Sequence, residues 1–508
     1  MHTLVKTQNR SIFTIENANL KNLVSRSISV LTMSMCAQGV SAQERYERIL
    51  GYAHAYSPIY LKQGILYDFN QLEDEKKKLI QLSENDSELF LKFAKLCEEK
   101  GNSIMSYSFK IKELDPAKID SKELEACFNK LYGELLDFMV FLLMPISIQK
   151  YLEDKLVSEL KKCGLTENVE QYSTILTSPN KNNTSYEEQK SILELSILYK
   201  KNVHVYELMK KIRQHLFNYS QVGIKYGIGK LWTEETILER IEFLSEQNPE
   251  AKLNYLENQT SSRNSAVEKI IEELKLKKET IQLIDVARTF VYLRTFRTDV
   301  ISGAVGNLFP LLTELANRNS LSSEDILNCF PEEIVTGKYP DRKELEERQH
   351  IVVKGLNGKV YYICGDNAKG IISYLKTKYI NTDKKIEIKN IVHGRTANQG
   401  VVVVGKAKIL TTNDDLSKVN YGDIIVAHMT TPDFVPAMEK AAGFVTNEGG
   451  ILCHAAIISR EMDKPCIVGT INATSIFQDN DFVLLDADQG TARKISEEEY
   501  EKLKKERN

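Results

Sequence analysis

Tryptophan occurs once in this chain of 508 residues, and proline only 11 times. Its most apolar run, Phe138–Ile146, is nine residues long, whereas a membrane span needs about 20. The run is expected to be a buried helix end stopped by Pro145, and no membrane partner is expected. Ser27–Gln43 is mildly apolar, but it lies too far from the N-terminus and is interrupted by Ser, Gln and Gly, so it does not read as a secretory signal. The eight cysteines (Cys36, Cys97, Cys127, Cys163, Cys329, Cys364, Cys453, Cys466) are scattered without a CxxC pair. That pattern speaks against a disulfide framework or structural zinc and predicts reduced thiols in a cytoplasmic protein. With 67 Lys and Arg against 70 Asp and Glu, the net charge is -3, so no basic footprint for nucleic acid exists. Runs such as Glu73–Lys78 and Lys275–Glu279 read as solvated helix faces. There is no internal repeat and no low-complexity tract.

Composition changes near residue 340. Before it the chain is rich in Leu, Lys and Glu with helical spacing (Leu79, Leu82, then Leu89, Phe90, Phe93, Leu96, later Ile237 to Leu244), which predicts a mostly helical domain over 1–340. A polar loop is expected over 170–186, and Trp232 is expected to pack. Over 341–385, Ile351-Val352-Val353 and Val360–Ile363 flank Leu356-Asn357-Gly358 and predict a hairpin. A helix over Gly365–Lys378 and a charged connector at Asn381–Lys385 follow. From 386 to 495 strands alternate with helices: Val401–Val404 and Ala407–Leu410 about a bulge or turn at Gly405, then Asp423–Ala427, 444–446, 466–468 and 482–486. Thr431 and Pro432 are expected to open a helix ending at Gly443. Residues 496–508 form a charged helical tail. The whole predicts an α+β multidomain protein, helical first and β/β/α last.

One stretch carries chemistry. Thr446-Asn447-Glu448-Gly449-Gly450 ends a strand and opens a glycine loop, and from His454 the run Ala-Ala-Ile-Ile-Ser-Arg-Glu is good helix material. Glycines let backbone N–H groups approach a ligand. A helix N-terminus favours a phosphate and disfavours imidazolium, so a histidine there stays neutral and nucleophilic. Thr446, Gly449, Gly450 and Ala455 are the candidate phosphate contacts. Arg460 either reaches an incoming phosphate or joins an internal ion pair. His393 and His428 lack the glycine-loop setting and read as turn or sheet-edge histidines, and Cys453 reads as a small apolar group.

These residues resemble a known family. Thr-x-x-Gly-Gly-x-x-x-His-Ala-Ala-Ile-x-x-Arg-Glu is similar to the phosphohistidine motif of the swivelling mobile domain of PEP-utilising enzymes, which occurs in phosphoenolpyruvate synthase, pyruvate phosphate dikinase and rifampicin phosphotransferase. His393–Gly400, Gly405-Lys406-Ala407, Asp423–Val426, Thr431–Met438 and Lys464–Gly469 follow in the family's order. The resemblance spans roughly 386–495 and implies that His454 is a catalytic phosphocarrier. It departs from the synthase pattern at Leu452, where a threonine often stands.

In such enzymes an ATP-grasp domain charges the histidine and an acceptor domain receives the group. The first 340 residues show no glycine-rich, lysine-bearing phosphate loop, and 13 residues follow Ile495, too few for a barrel. The resemblance therefore implies a phosphotransferase component charged by a separate ATP-grasp protein that binds ATP and Mg2+. This chain is expected to bind no metal itself and to deliver to an unknown acceptor on the helical domain. Arg294 and Arg297, three apart on a predicted helix with Arg288, are the candidate acceptor-binding pair; a salt-linked helix is the competing reading. A non-catalytic scaffold and a pure phosphorelay carrier remain as alternative functions.

Overall fold

The computed structural model describes the chain except residues 1–3, 14–17, 25–26, 381–389, 401, 412, 431–433, 450–453 and 506–508; of 23, 24, 170, 380, 413, 414, 454, 457 and 461 it describes the backbone alone. The chain forms two compact units, Met1–Thr382 and Asp383–Asn508. The first is mostly helical and the second is a β-rich domain with packed helices.

In the N-terminal unit the helix Lys278–Asn307 runs through the core against Leu89–Lys112 and Met144–Lys162. The helices expected from Leu and Phe spacing are Phe69–Asn85, Leu89–Lys112 and Glu234–Ser245. Their buried positions follow the 3.6-residue period, as in Phe90, Phe93, Ala94 and Cys97. Pro145 does not stop a helix. It stands in the first turn of Met144–Lys162, where a missing N–H costs nothing, after a 3-10 turn at Met139–Phe141. Ser121–Lys162 has the length and hydropathy of a membrane span, yet 78% of its apolar window is buried inside the unit, as in a core helix. The polar loop is also narrower than expected. Val169–Leu176 is helical, and Asn183 caps the helix Thr184–Lys200 by accepting from the Tyr186 amide.

This unit also holds a six-stranded sheet that the spacing did not predict, in the order Leu4–Lys6, Lys359–Cys364, Ile351–Leu356, Ile59–Leu61, Gly64–Asp68, Leu20–Val24. The expected hairpin sits inside this sheet. Asn357 and Gly358 both have positive φ (50° and 70°), as the two-residue turn matched to strand twist requires. On one side lies Val30–Val40, buried at all 11 positions and capped by Ser29, whose Oγ accepts from the Thr32 amide.

In the C-terminal unit eight strands pair in the order Arg395–Asn398, Cys466–Val468, Gly443–Thr446, Ile424–Ala427, Val403–Leu410, Phe482–Asp486, Thr491–Lys494, Ile391–His393. The two end strands are joined in sequence through Gly394, so the sheet wraps toward a barrel. No turn occurs at Gly405: Val403–Leu410 is one strand that changes neighbours, pairing 403–406 with 482–485 and 407–410 with 424–427. Side chains alternate between two cores. Ile425, Ala427, Phe444 and Cys466 face the helices Val435–Lys440 and His454–Glu461, while Ile424, Val426, Val445 and Ile467 fill the other face. The expected cap Thr431-Pro432 lies outside the described residues, and Pro436 occupies the helix's first turn. The tail helix Glu497–Lys505 is docked on the sheet through Tyr500 on Phe482 and an Arg493–Glu499 pair.

Candidate functional site: the strand-end loop before His454

Strands Ile424–Ala427, Gly443–Thr446 and Cys466–Val468 run parallel, with Ala427 opposite Thr446 and Val445 opposite Ile467. Their carboxyl ends therefore open on one edge, where an α/β sheet offers its crevice. There the chain places His428, then Asn447-Glu448-Gly449, then Gly469-Thr470.

The loop after Thr446 is fastened on both sides. Asn447 N donates to Ala427 O and Glu448 N to His428 O. From the other flank, Thr470 N and Oγ1 donate to Thr446 O at 3.0 and 2.9 Å, and Ile471 N to Asn447 O. Asn447, 4% exposed, uses its whole amide: Oδ1 accepts from Thr474 N, and Nδ2 donates to Thr474 Oγ1 at 2.6 Å and faces His428 Nδ1 at 3.3 Å. A buried amide satisfied in this way fixes a loop far better than the backbone bonds alone.

Thr446 is fully buried, and its hydroxyl donates to Glu448 O at 2.7 Å. This hydroxyl, a candidate phosphate contact, shapes the turn. Because the amides of Asn447 and Glu448 are already donated, the N–H groups left for a ligand begin at Gly449. That residue has φ 123°, a region closed to side-chain-bearing residues, and its carbonyl lies 3.1 Å from where a Cβ on Gly469 would stand. Gly450 and Cys453 lie outside the described residues. The helix His454–Glu461 opens with the His454 backbone, so the histidine stands at a helix start after a glycine-bearing loop. Ala455 is buried behind it.

Arg460 reaches inward, its guanidinium donating to Ala397 O at 3.2 Å. Beside it Asn398 Nδ2 donates to the carbonyls of Ser459 and Lys464, and Lys464 Nζ gathers those of Met438, Glu439 and Ala441 at the end of Val435–Lys440. Both helices of the site are thus tied at their C-terminal ends. His393 is an exposed strand residue opposite Thr491. Asn447, Thr470, Thr474 and Asn398 were not singled out from sequence. Only their polarity beside strand ends signalled them, because their partners lie up to 66 residues away.

In the N-terminal unit the two candidate arginines have different settings. Arg294 is exposed and donates to Gln149 Oε1 at 2.9 Å, whereas Arg297 is 4% exposed. Arg288 is held by Ser178 O and Asn264. Trp232 packs beneath Arg240, 4.7 Å from the guanidinium to the ring centre.

The C-terminal unit is thus a wrapped sheet whose parallel strands end at a glycine-bearing loop, followed by a helix that starts on histidine. Residues 419–490 match the family "PEP-utilising enzyme, mobile domain", and the chain carries that domain. Similar proteins include a probable phosphoenolpyruvate synthase of Methanothermobacter thermautotrophicus, 41% identical over 140 residues (26% of this chain, 20% of the relative). Another, of Archaeoglobus fulgidus, is 36% identical over 178 residues (35% and 23%). The phosphoenolpyruvate synthase of Pyrococcus furiosus is 42% identical over 108 residues (21% and 13%). The chain thus spans at most about a quarter of the length of these relatives.

Proposed function

We propose that this chain is a phosphotransferase component in which His454 carries the phosphoryl group. The observation that supports this best is the position of His454 as the first residue of a helix that follows a glycine-bearing loop at the end of a parallel strand. An imidazole nitrogen attacks phosphorus, the N–P bond forms and the P–O bond to the leaving oxygen breaks. An acceptor nucleophile later takes the group, the N–P bond breaks, and its electron pair returns to the ring. Partial positive charge at the helix start stabilises the phosphoryl oxygens in both steps. The donor in this reading is ATP with Mg2+ on a separate ATP-grasp protein, and the acceptor binds the N-terminal unit. The mobile domain moves as a body between the two, with Asn381–Lys385, outside the described residues, as the hinge.

The test is partner dependence. With Mg-ATP alone the purified chain stays unlabelled; with an ATP-grasp protein added it gains an acid-labile, base-stable phosphate. Labelling without any added protein, or an acid-stable label, overturns the reading.

A further inference from the structure

Positive φ is unfavourable for residues with a side chain, and among the described residues the ten that adopt it nearly all have a local reason. Six are Asn or Asp, which tolerate that region. Lys275 and Ser320 follow helix ends, and Tyr226 turns the short hairpin Ile224–Lys225, Ile228–Gly229. The remaining one is Ile471, at φ 71°, and it alone of the ten is β-branched. Asn472 N donates to Thr470 O at 2.9 Å across it. Ile471 is therefore the centre of a γ-turn in its rare, strained form, where glycine would stand at ease.

Packing does not offset that strain. Tyr226, the other bulky residue of the ten, is 7% exposed and joins the core of its unit, whereas Ile471 is 73% exposed. A strained backbone persists where its surroundings fix it, and such places cluster at functional sites. The surroundings here are the loop that leads to His454. Ile471 N donates to Asn447 O at 2.9 Å, and Thr470 before it holds Thr446 O. Three residues on, Thr474 is bound to the Asn447 amide. The isoleucine thus stands on the edge where the parallel strands end, beside the exposed Gly449.

One apolar side chain projecting from an edge makes no pocket, but it fits into one on another protein, as an interface anchor does. Any protein that passes a phosphoryl group to His454 must meet this edge. A unit joined through the chain meets it at high effective concentration and needs little affinity, whereas a separate protein must gain its affinity from contacts. We infer that Ile471 is a docking anchor for the separate nucleotide-binding protein that charges His454, seated in an apolar socket beside that protein's phosphate donor. The inference rests on the reading of the chain as a carrier charged in trans.

The test uses the full chain and the ATP-grasp protein that labels the wild type with Mg-ATP. Ile471→Gly relaxes the turn, so the Tm of the C-terminal unit should rise by about 1–4 °C. The concentration of the ATP-grasp protein that gives half-maximal labelling rate should rise at least about tenfold. A residue kept for folding alone would give neither sign. Ile471→Met keeps the apolar bulk and should label like the wild type. Should Ile471→Gly fail to fold, Ile471→Asn, tolerated at positive φ, takes its place with the same expected loss. Phosphoramidate, a small donor that needs no docking surface, should label all of them alike. A lower Tm in Ile471→Gly, an unchanged half-maximal concentration in the variant that folds, or weaker labelling by phosphoramidate overturns the docking role alone. A wild type that phosphoramidate labels at His454 but no ATP-grasp protein labels overturns the reading beneath it, and the anchor with it.

Discussion

Arg348 and Arg297 are both buried in the N-terminal unit, 0% and 4% exposed, but their surroundings differ in kind. Arg348 donates to Glu333, Glu344 and Asn328 O, with its guanidinium 4.5 Å from the centre of the Phe330 ring. Its charge is cancelled, and Glu344 is held below the usual carboxylate range: burial acts to raise it, but Arg348 outweighs burial. Arg297 has phenols, thiols and another cation about it, and burial lowers it to about 10. The first arginine ties Pro331–Thr336 to Arg342–Glu347 and the sheet. The second has no carboxylate partner among the described residues, and its Nε is buried without a hydrogen bond.

The largest effect that could break this contrast is on stability. Arg348→Ala strands two carboxylates and should destabilise the N-terminal unit by about 3–5 kcal/mol in urea titration. Arg297→Met should change stability by less than about 1 kcal/mol, or improve it, because an unpaired charge is removed. Equal losses in the two variants would mean that Arg297 is structural after all.

A second buried pair sharpens the comparison through pH. Burial acts to raise the Glu188 carboxyl, but Arg240, 2.7 Å away, and His215 overcome it and hold it at about 2. A carboxyl lowered in the folded state binds fewer protons there than when unfolded. Its stabilisation is therefore complete above the ordinary value of about 4.3 and is lost as pH falls toward the folded value. Denaturation midpoints of the wild type should drop over that window, and Glu188→Gln should flatten the drop while lowering the midpoint at pH 7. Arg297, with no carboxylate, should add nothing to the acid limb, so Arg297→Met should leave its shape unchanged.

Smaller effects belong to the C-terminal unit, where the buried polar groups answer one another. Asn447→Ala removes the amide that joins the loop to Thr474 and should cost that unit about 1–3 kcal/mol by thermal unfolding. It should also slow labelling of the chain. Gly469→Ala forces a side chain into φ 71° beside the Gly449 carbonyl and should cost about 1–2 kcal/mol. If either leaves Tm unchanged, the loop is not fixed in the way these contacts imply.

The contrast also explains what could be read from sequence. The C-terminal site was legible because strand, glycine loop and helix start are contiguous from Thr446 to Glu461, and local propensity suffices to order them. The clasp on that loop was not, since Asn447, Thr470 and Thr474 acquire roles only when parallel strands bring them together. In the N-terminal unit helical spacing placed the helices well. The sheet escaped because its strands are short and pair across great separations, as Ile59 does with Lys354. Periodicity put Arg294 and Arg297 on one face of a helix, but it could not say that one is wet and the other buried. That depends on which helices pack against theirs.

The account's central claim is that His454 carries the phosphoryl group, and intact-mass measurement of matched variants tests it most directly. After incubation with Mg-ATP and the ATP-grasp protein, handled at alkaline pH, the wild type and His393→Ala should each gain one phosphoryl mass, and His454→Ala none. A phosphoryl mass retained by His454→Ala would contradict the account.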